Sequence, residues 1–241
     1  MTDSAAAPPP PGAPGTPVPP TIRAAYCDVD GTLTATTIVT PLIWYKRRLQ
    51  SAPAHWLWLA GVPLRAPYWL LLDRFSRDAS NRAIYSNYAG MSCARARELA
   101  VACYSECIRP RLLPRAQARL AALKKDGITL VLVTGGLDFI LQPLARELDA
   151  DCVAPALVER DGIFTGELRG PPLTGEHKAD AIRAHAKANN VDLTQSYAFG
   201  DAIGDLLMLE CVGHPVAINA DQRLAAVARA RGWQMEDWKH G

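Results

Sequence analysis

Asp28-Val29-Asp30-Gly31-Thr32-Leu33-Thr34 closes an apolar run, Ile22 to Cys27, which is broken only by Arg23 and reads as a buried strand. Side chains alternate along an extended chain, so Asp28 and Asp30 leave the strand's carboxyl end on the same side, and Gly31 lets the backbone turn sharply beside them. Two acids on one edge call for a cation. A hard divalent ion such as Mg2+ takes oxygen ligands and keeps waters and a phosphate oxygen in its shell, so this edge suits phosphoryl chemistry. The plainer alternative is a turn after a strand, because Asp, Gly and Thr are common turn residues. Partners elsewhere in the chain decide between the two.

A chain of 241 residues, 49% of them hydrophobic, can bury a large core and fits one domain or one domain with an insertion. Its 26 basic and 24 acidic residues leave a net charge of +2, too small to argue for a nucleic-acid partner. The six cysteines form no Cys-x-x-Cys pair, and several sit in apolar segments where a reduced thiol packs as a small hydrophobe, which fits a reducing compartment. Residues 1–20 are rich in Pro and Ala, with no basic start and no continuous apolar stretch. They read as a disordered or polyproline-like tail rather than a signal peptide or membrane span, and a cytoplasmic location is expected. A docking ligand is the alternative reading of that tail.

Residues 36–110 form a helical module with no convincing strand. Pro41 to Leu49 starts it, Trp56 to Phe75 is strongly apolar, Asn81 to Gly90 is amphipathic, and Ala94 to Ile108 has the pattern of a helix against a core. Nine basic and four acidic residues between 36 and 108 give this module a surplus of five positive charges and leave the remainder near −3. From Pro114 the pattern alternates helix and strand, which predicts a parallel sheet with helices on its faces. Arg115 to Lys125 reads as a helix, Ile128 to Val133 as a strand, Leu137 to Leu148 as a helix and Ala150 to Leu157 as a strand. A hairpin over Glu159 to Phe164 turns at Asp161-Gly162. Glu176 to Ala188, Gly204 to Cys211 and Asp221 to Arg231 read as helices around strands Ser196 to Phe199 and Val216 to Asn219. The expected division is thus a tail (1–20), an α/β core (21–35 and 111–241) and a helical cap (36–110).

Three apolar strands end in polar loops of distinctive content: Asp28-Val29-Asp30-Gly31, Thr134-Gly135-Gly136 and Gly200-Asp201-Ala202-Ile203-Gly204-Asp205. Ligands of parallel sheets bind outside the carboxyl ends of the strands, so the three loops should face one crevice. Thr134-Gly135-Gly136 leads into a helix and offers a hydroxyl and backbone N–H groups to an anion, for which phosphate is the natural candidate. Lys178 falls in the first turn of a helix, where a cation works against the helix dipole; a functional lysine tolerates that cost, and a solvent-facing lysine is the alternative. His177 and His214 have no metal-ligand spacing to a second histidine and read as structural or surface residues.

Asp28-Val29-Asp30-Gly31-Thr32, then Thr134-Gly135-Gly136, then Lys178, then Gly200-Asp201-Ala202-Ile203-Gly204-Asp205 resemble the four ordered motifs of the haloacid dehalogenase superfamily, and the helical insert after the first of them resembles its phosphoserine-phosphatase-like subfamily IB. Gly213 to Asn219, with Trp233, is similar to the bacterial branch of that group. The resemblance implies a Rossmann-like parallel sheet with an inserted helical cap, and an Mg2+-dependent phosphatase of a small phosphate ester. It implies that Asp28 attacks phosphorus to form an aspartyl-phosphate, and that Asp30 protonates the leaving oxygen and later activates water. Thr134, the Gly135 N–H and Lys178 would hold the phosphoryl oxygens. Mg2+ would be held by the Asp28 carboxylate, the Asp30 backbone carbonyl and Asp201, with Asp205 orienting that loop. The chemistry agrees, since a carboxylate attacks a phosphate anion only once metal and lysine neutralise it. Halide displacement would not need Asp30 or the metal set, which disfavours dehalogenation. Phosphoserine phosphatases usually carry a glutamate nine residues after the nucleophile; Thr37 stands there, which argues against phosphoserine.

Trp44, Trp56, Trp58 and Trp69 fall in the cap with Tyr68 and Leu70-Leu71-Leu72. Pro63, Arg65 and Pro67 interrupt the apolar stretch, so a span is not expected. Packing among cap helices explains the tryptophans most simply. The sharper alternative is a basic, Trp-rich face that touches a membrane surface or admits an amphiphilic or lipid phosphate. A non-catalytic membrane-docking scaffold and phosphotransfer to a second alcohol are the competing functions, and oligomeric state has no signature in the sequence.

Overall fold

A computed structural model describes residues 21–239; the stretch 1–20, with the tail reading attached to it, lies outside the described residues. The chain opens with β1 (Ala24–Cys27) and passes through six helices: α1 (Val39–Leu49), α2 (Ala52–Ala60), α3 (Val62–Phe75), α4 (Arg77–Tyr85), α5 (Cys93–Glu98) and α6 (Ala100–Cys103). Then follow α7 (Pro114–Lys125), β2 (Thr129–Val133), α8 (Asp138–Leu148), β3 (Asp151–Val153), β4 (Leu157–Arg160), β5 (Ile163–Leu168) and α9 (Gly175–Ala188). The chain finishes with β6 (Tyr197–Gly200), α10 (Leu206–Leu209), β7 (His214–Ile218), α11 (Gln222–Arg231) and β8 (Gln234–Glu236).

The six-stranded sheet has the order β3-β2-β1-β6-β7-β8, every pairing parallel. Its strands are apolar on both faces because both are covered. Ala25 and Cys27 of β1, with Leu130 and Leu132 of β2, pack toward Leu120, Leu123, Ile140 and Leu144 of α7 and α8. The alternate residues Ala24, Tyr26, Val131 and Val133 pack with Ile182, Leu209, Leu224 and Ala228 of α9, α10 and α11. The order runs outward from β1 through β2 to β3 on one side and from β6 through β7 to β8 on the other. The boundary between β1 and β6 is therefore where the winding reverses and a crevice opens.

Most expected elements form, with instructive differences. The apolar segment Trp56 to Phe75 divides at Gly61 into α2 and α3, and the Arg65 side chain caps the joint by donating to the carbonyls of Gly61 (3.1 Å) and Trp58 (2.8 Å). The strand read over Ala150 to Leu157 is two: Pro155 carries no N–H for the ladder, so β3 stops at Val153 and Leu157 opens the β4–β5 hairpin. That hairpin turns at Asp161 (φ 51°) and Gly162 (φ 75°), as the Asp-Gly pair predicts. The helix expected over Ala94 to Ile108 is interrupted after Glu98 and finishes in a wide π-type turn, Tyr104–Ile108. The edge strand β8 has no counterpart in the sequence reading.

Aromatic packing seats the helical insert on the sheet domain. Phe139 of α8 meets Tyr45 of α1 (centroids 5.7 Å), Tyr88 after α4 (6.3 Å) and Phe164 of β5 (5.2 Å, stacked). The hairpin joins in through its backbone: Gly90 N–H donates to Phe164 O (2.9 Å) and Phe164 N–H to Met91 O (3.0 Å). Trp58 and Trp69 are buried in the insert, as the packing explanation requires, and Trp44 is half-buried; Trp56 points outward.

Candidate active site

The crevice is built by register. Tyr26 and Cys27 pair with Ala198 and Phe199, and the Asp28 N–H continues that ladder to Phe199 O (2.9 Å), which sets Asp28 beside the Gly200-Asp201 turn. On the other side Cys27 pairs with Leu132, so Thr134 leaves β2 next to the same edge. Lys178, near the start of α9, is 6% exposed and reaches in from below. Its Nζ donates to Asp28 Oδ1 (2.5 Å) and Asp205 Oδ1 (2.8 Å), both carboxylates as buried as itself. The solvent-facing alternative for Lys178 is thereby removed. Two buried carboxylates offset the cost of placing an ammonium in the first turn of a helix.

Each polar loop is braced from within and from its neighbours. After Asp28 the chain doubles back through Gly31 N–H to Thr34 O (2.8 Å) and Thr34 N–H to Val29 O (2.9 Å), with Gly31 at φ +89°. A Cβ on Gly31 would run into the Asp201 carboxylate, so the position needs glycine for its backbone angle and for the close approach. Asp30 Oδ1 accepts from Thr36 Oγ1 (2.6 Å), and Asp201 Oδ1 accepts from Thr32 Oγ1 (3.2 Å). Thr134, fully buried, accepts the Gly136 N–H (2.9 Å) through its hydroxyl, which folds the Thr-Gly-Gly turn over the strand end. Asp205, expected to orient its loop, accepts the Ala202 N–H at 3.3 Å. Its carboxylate also belongs to the acid cluster itself, which spacing alone did not indicate.

Asp28, Asp201 and Asp205 each offer a carboxylate oxygen, all within 4.8 Å of one another. Three acids share one ammonium, and burial adds to the repulsion. Burial, with the charges of Asp205 and Asp201, pushes the Asp28 carboxyl up to about 8 against the pull of Lys178. Burial and the Asp205 charge push Asp201 up to about 6. Asp30 is raised by burial, partly countered by the Thr36 hydrogen bond. For Lys178, burial acts downward, and Asp205 and Asp28 more than reverse it, so its ammonium is held charged. An all-oxygen, over-acidic and buried donor set fits a hard divalent cation.

The helical insert borders this crevice through α4. The Tyr85 hydroxyl donates to the Gly135 carbonyl, and its phenol is raised by burial and by the charge of Asp30. A Cβ on Gly135 would come within 3.8 Å of Asn81 Nδ2, and one on Gly204 would collide with the Arg77 guanidinium. Thr174 Oγ1 donates to Asp78 Oδ1, and His177 Nε2 lies 3.6 Å from the other Asp78 oxygen. His214 stacks on Tyr197 (4.8 Å) and stays outside the cluster, in line with the structural reading of both histidines.

Asn219 and Asp221 were missed. Asn219 (φ 46°) donates to Gly31 O (3.2 Å) and accepts the Trp238 N–H (2.7 Å), while Asp221 accepts the Ile203 N–H (3.0 Å). Val216 to Ile218 followed by Asn219-Ala220-Asp221 is a fourth apolar strand ending in polar residues, and that signal could have found them.

A doubly covered parallel sheet, with carboxylates and one buried ammonium at the strand ends where the winding reverses, is the layout of an α/β enzyme. The family model described as haloacid dehalogenase-like hydrolase matches residues 25–210, and the chain belongs to that family. A Mycobacterium tuberculosis protein named as a probable phosphatase is 31% identical over 234 residues, 93% of this chain and 78% of its own. Phosphoserine phosphatase SerB1 of the same organism is 31% identical over 223 residues, 90% of this chain and 71% of its own. A solved structure of a Bordetella pertussis protein of unknown function superposes with a TM-score of 0.78 at 24% identity, covering 91% of this chain and all of the other.

Proposed function

We propose that this hydrolase is an Mg2+-dependent phosphomonoesterase that works through an aspartyl-phosphate and takes a small phosphorylated metabolite. Residues 36–110 act as the cap over a core of residues 21–35 and 111–241. The observation that carries the reading is Lys178: a buried ammonium bound at once to Asp28 and Asp205, brought from a distant helix to the end of the first strand. The relatives named as phosphatases support the reaction class.

In the first step an Asp28 carboxylate oxygen attacks phosphorus, the bond to the ester oxygen breaks, and Asp30 delivers its proton to the departing alkoxide. In the second, Asp30 takes a proton from water, whose oxygen attacks the phosphoryl-Asp28 and releases phosphate. A raised Asp30 suits both roles, because the group must carry a proton first and accept one afterwards. Thr134, the Gly135 N–H and Lys178 hold the transferring oxygens. Asp28, the Asp30 carbonyl and Asp201 would hold Mg2+, which supplies the positive charge that lets a carboxylate approach a phosphate. Asp205 keeps the Asp201 loop and Lys178 in place.

Thr37 offers a hydroxyl, turned to Thr40 Oγ1 at 3.3 Å, and no carboxylate for an amino group. The substrate is therefore read as an ester without the amino-acid head, in contrast to the relative named for phosphoserine. Hydrolysis of an aryl phosphate with Mg2+, abolished by EDTA and by Asp28→Asn, is the expected result. A folded but inactive wild type would favour the scaffold alternative. Ranking phosphoserine, histidinol phosphate and lysophosphatidate by kcat/KM then tests the substrate class, and a strong preference for phosphoserine would overturn the reading of Thr37.

A further inference from the structure

Leu64, Tyr68, Leu71 and Phe75 recur at intervals of four, three and four residues along α3, so they stack on one side of it. All four face water, at 84, 56, 56 and 79% exposure. The helix already has a face turned inward, where Trp69 is buried and Val62 and Leu72 are half-buried. On α2 the pattern repeats: Trp58 turns in and donates its indole N–H to Asn87 Oδ1 (3.1 Å), while Trp56 and Leu57 lie outside. Two consecutive helices thus carry an inner apolar face that the cap core uses and an outer one that it does not. A continuous outer patch of large apolar side chains marks an interaction surface rather than scattered exposure.

We propose that this outer face of α2 and α3 lies on an anionic membrane surface. Its composition, aliphatic side chains with a Trp and a Tyr, suits the boundary between headgroups and acyl chains. Charge selects the partner. Lys46 is buried, Arg48 pairs with Glu106 and Arg65 folds over Trp58, but residues 36–108 as a whole hold nine Lys and Arg against four Asp and Glu, with Arg47, Arg77 and Arg82 exposed. This surplus attracts anionic headgroups and opposes a second copy presenting the same face. Among the described residues no helix is long and apolar enough to cross a membrane, and α2 and α3, of 9 and 14 residues, would lie in the interface plane.

The surface is joined to the site. Phe75 ends α3, Ser76 caps the next helix by accepting the Ala79 N–H (3.2 Å), and α4 begins at Arg77, beside Gly204, and runs on to Tyr85 at Gly135. A helix resting on lipid therefore hands directly to the one that borders the crevice. Docking would add, to the small esters proposed above, a phosphomonoester with an apolar tail held in the bilayer. The docking itself does not depend on the phosphatase reading; this choice of substrate does.

The test is flotation of the full chain with vesicles of phosphatidylcholine alone and of phosphatidylcholine mixed with phosphatidylglycerol. Flotation should be roughly ten-fold greater with the anionic vesicles, the effect of one or two basic residues within reach of the headgroups. The double substitution Leu64→Gln, Leu71→Gln, both at exposed positions, should abolish it while leaving hydrolysis of a soluble aryl phosphate unchanged. A wild type that fails to float, or a double variant that floats as well as the wild type, overturns the proposal. So does a self-associated wild type that stays off the vesicles and becomes monomeric in the variant, which would make the occupant a second copy. Flotation with no aryl phosphatase activity upholds the docking and overturns the proposed reaction; activity without flotation does the reverse.

Discussion

In the crevice, Asp28, Lys178 and Asp205 are ionisable groups withdrawn from water, both acids held by the Lys178 ammonium within hydrogen-bonding distance. On the outer side of α3, Leu64, Tyr68, Leu71 and Phe75 are apolar groups left in water, with the cap's own core already filled by Trp69 behind them. Each region departs from the usual partition, in opposite directions. Buried charge costs several kcal/mol per ion unless paired, so the protein keeps it only with partners fixed by the backbone on every side. Exposed apolar surface costs far less and needs no fixed partner. The first arrangement suits chemistry at one point, and the second suits contact with a broad, fluid surface.

The sharpest way to break the contrast is to remove the cation. Lys178→Met leaves Asp28 and Asp205 facing each other without compensation, so activity toward an aryl phosphate should fall by roughly 100-fold or more. Stability should drop by about 3–5 kcal/mol, read by urea unfolding. Activity near wild type would remove Lys178 from the site. Gly31→Ala comes next. It asks a residue with a side chain to hold φ +89° against the Asp201 carboxylate, and should cost about 1–3 kcal/mol and roughly ten-fold or more in kcat.

The acid cluster also predicts a pH signature. Asp28, at about 8, and Asp201, at about 6, bind protons more tightly in the folded chain than in the unfolded one. The stability they contribute is complete at low pH and is lost as pH rises through about 6 and then about 8. Thermal unfolding in EDTA should therefore show a Tm that declines over this range. Added Mg2+ should raise Tm more at the alkaline end, where the carboxylates are ionised and able to bind it. A metal-free Tm that climbs with pH would contradict the crowded cluster. The smallest effect is expected from Tyr85→Phe, which loses one hydroxyl contact between α4 and the Gly135 carbonyl. KM should rise by roughly three- to ten-fold with kcat little changed, since a single hydrogen bond is worth about 1 kcal/mol. An unchanged KM would detach α4 from substrate binding.

Much of this was legible because three loops announce themselves locally. An apolar strand ending in Asp28-Val29-Asp30-Gly31, Thr134-Gly135-Gly136 or Gly200-Asp201 places chemistry at a strand end, and parallel topology brings strand ends together. Lys178 was legible only as an oddity, a lysine in the first turn of a helix. Tyr85, Asn81 and Arg77 were not legible as site residues, because their relation to Gly135 and Gly204 arises from how the insert is seated by Phe139 and its neighbours. The split of Trp56 to Phe75 into two helices was likewise hidden, since Gly61 and the reach of Arg65 over it act only once both helices exist.

Sequence by itself determined the alternation of strand and helix, the helical insertion after the first strand and which polar groups stand at the strand ends, because each depends on neighbours along the chain. Tertiary structure alone decided that Asp205 joins Asp28 and Asp201, that α4 borders the crevice, and that one side of α3 is left uncovered. Those are relations between segments up to 177 residues apart, 28 to 205, fixed by sheet order and by which faces the packing consumes.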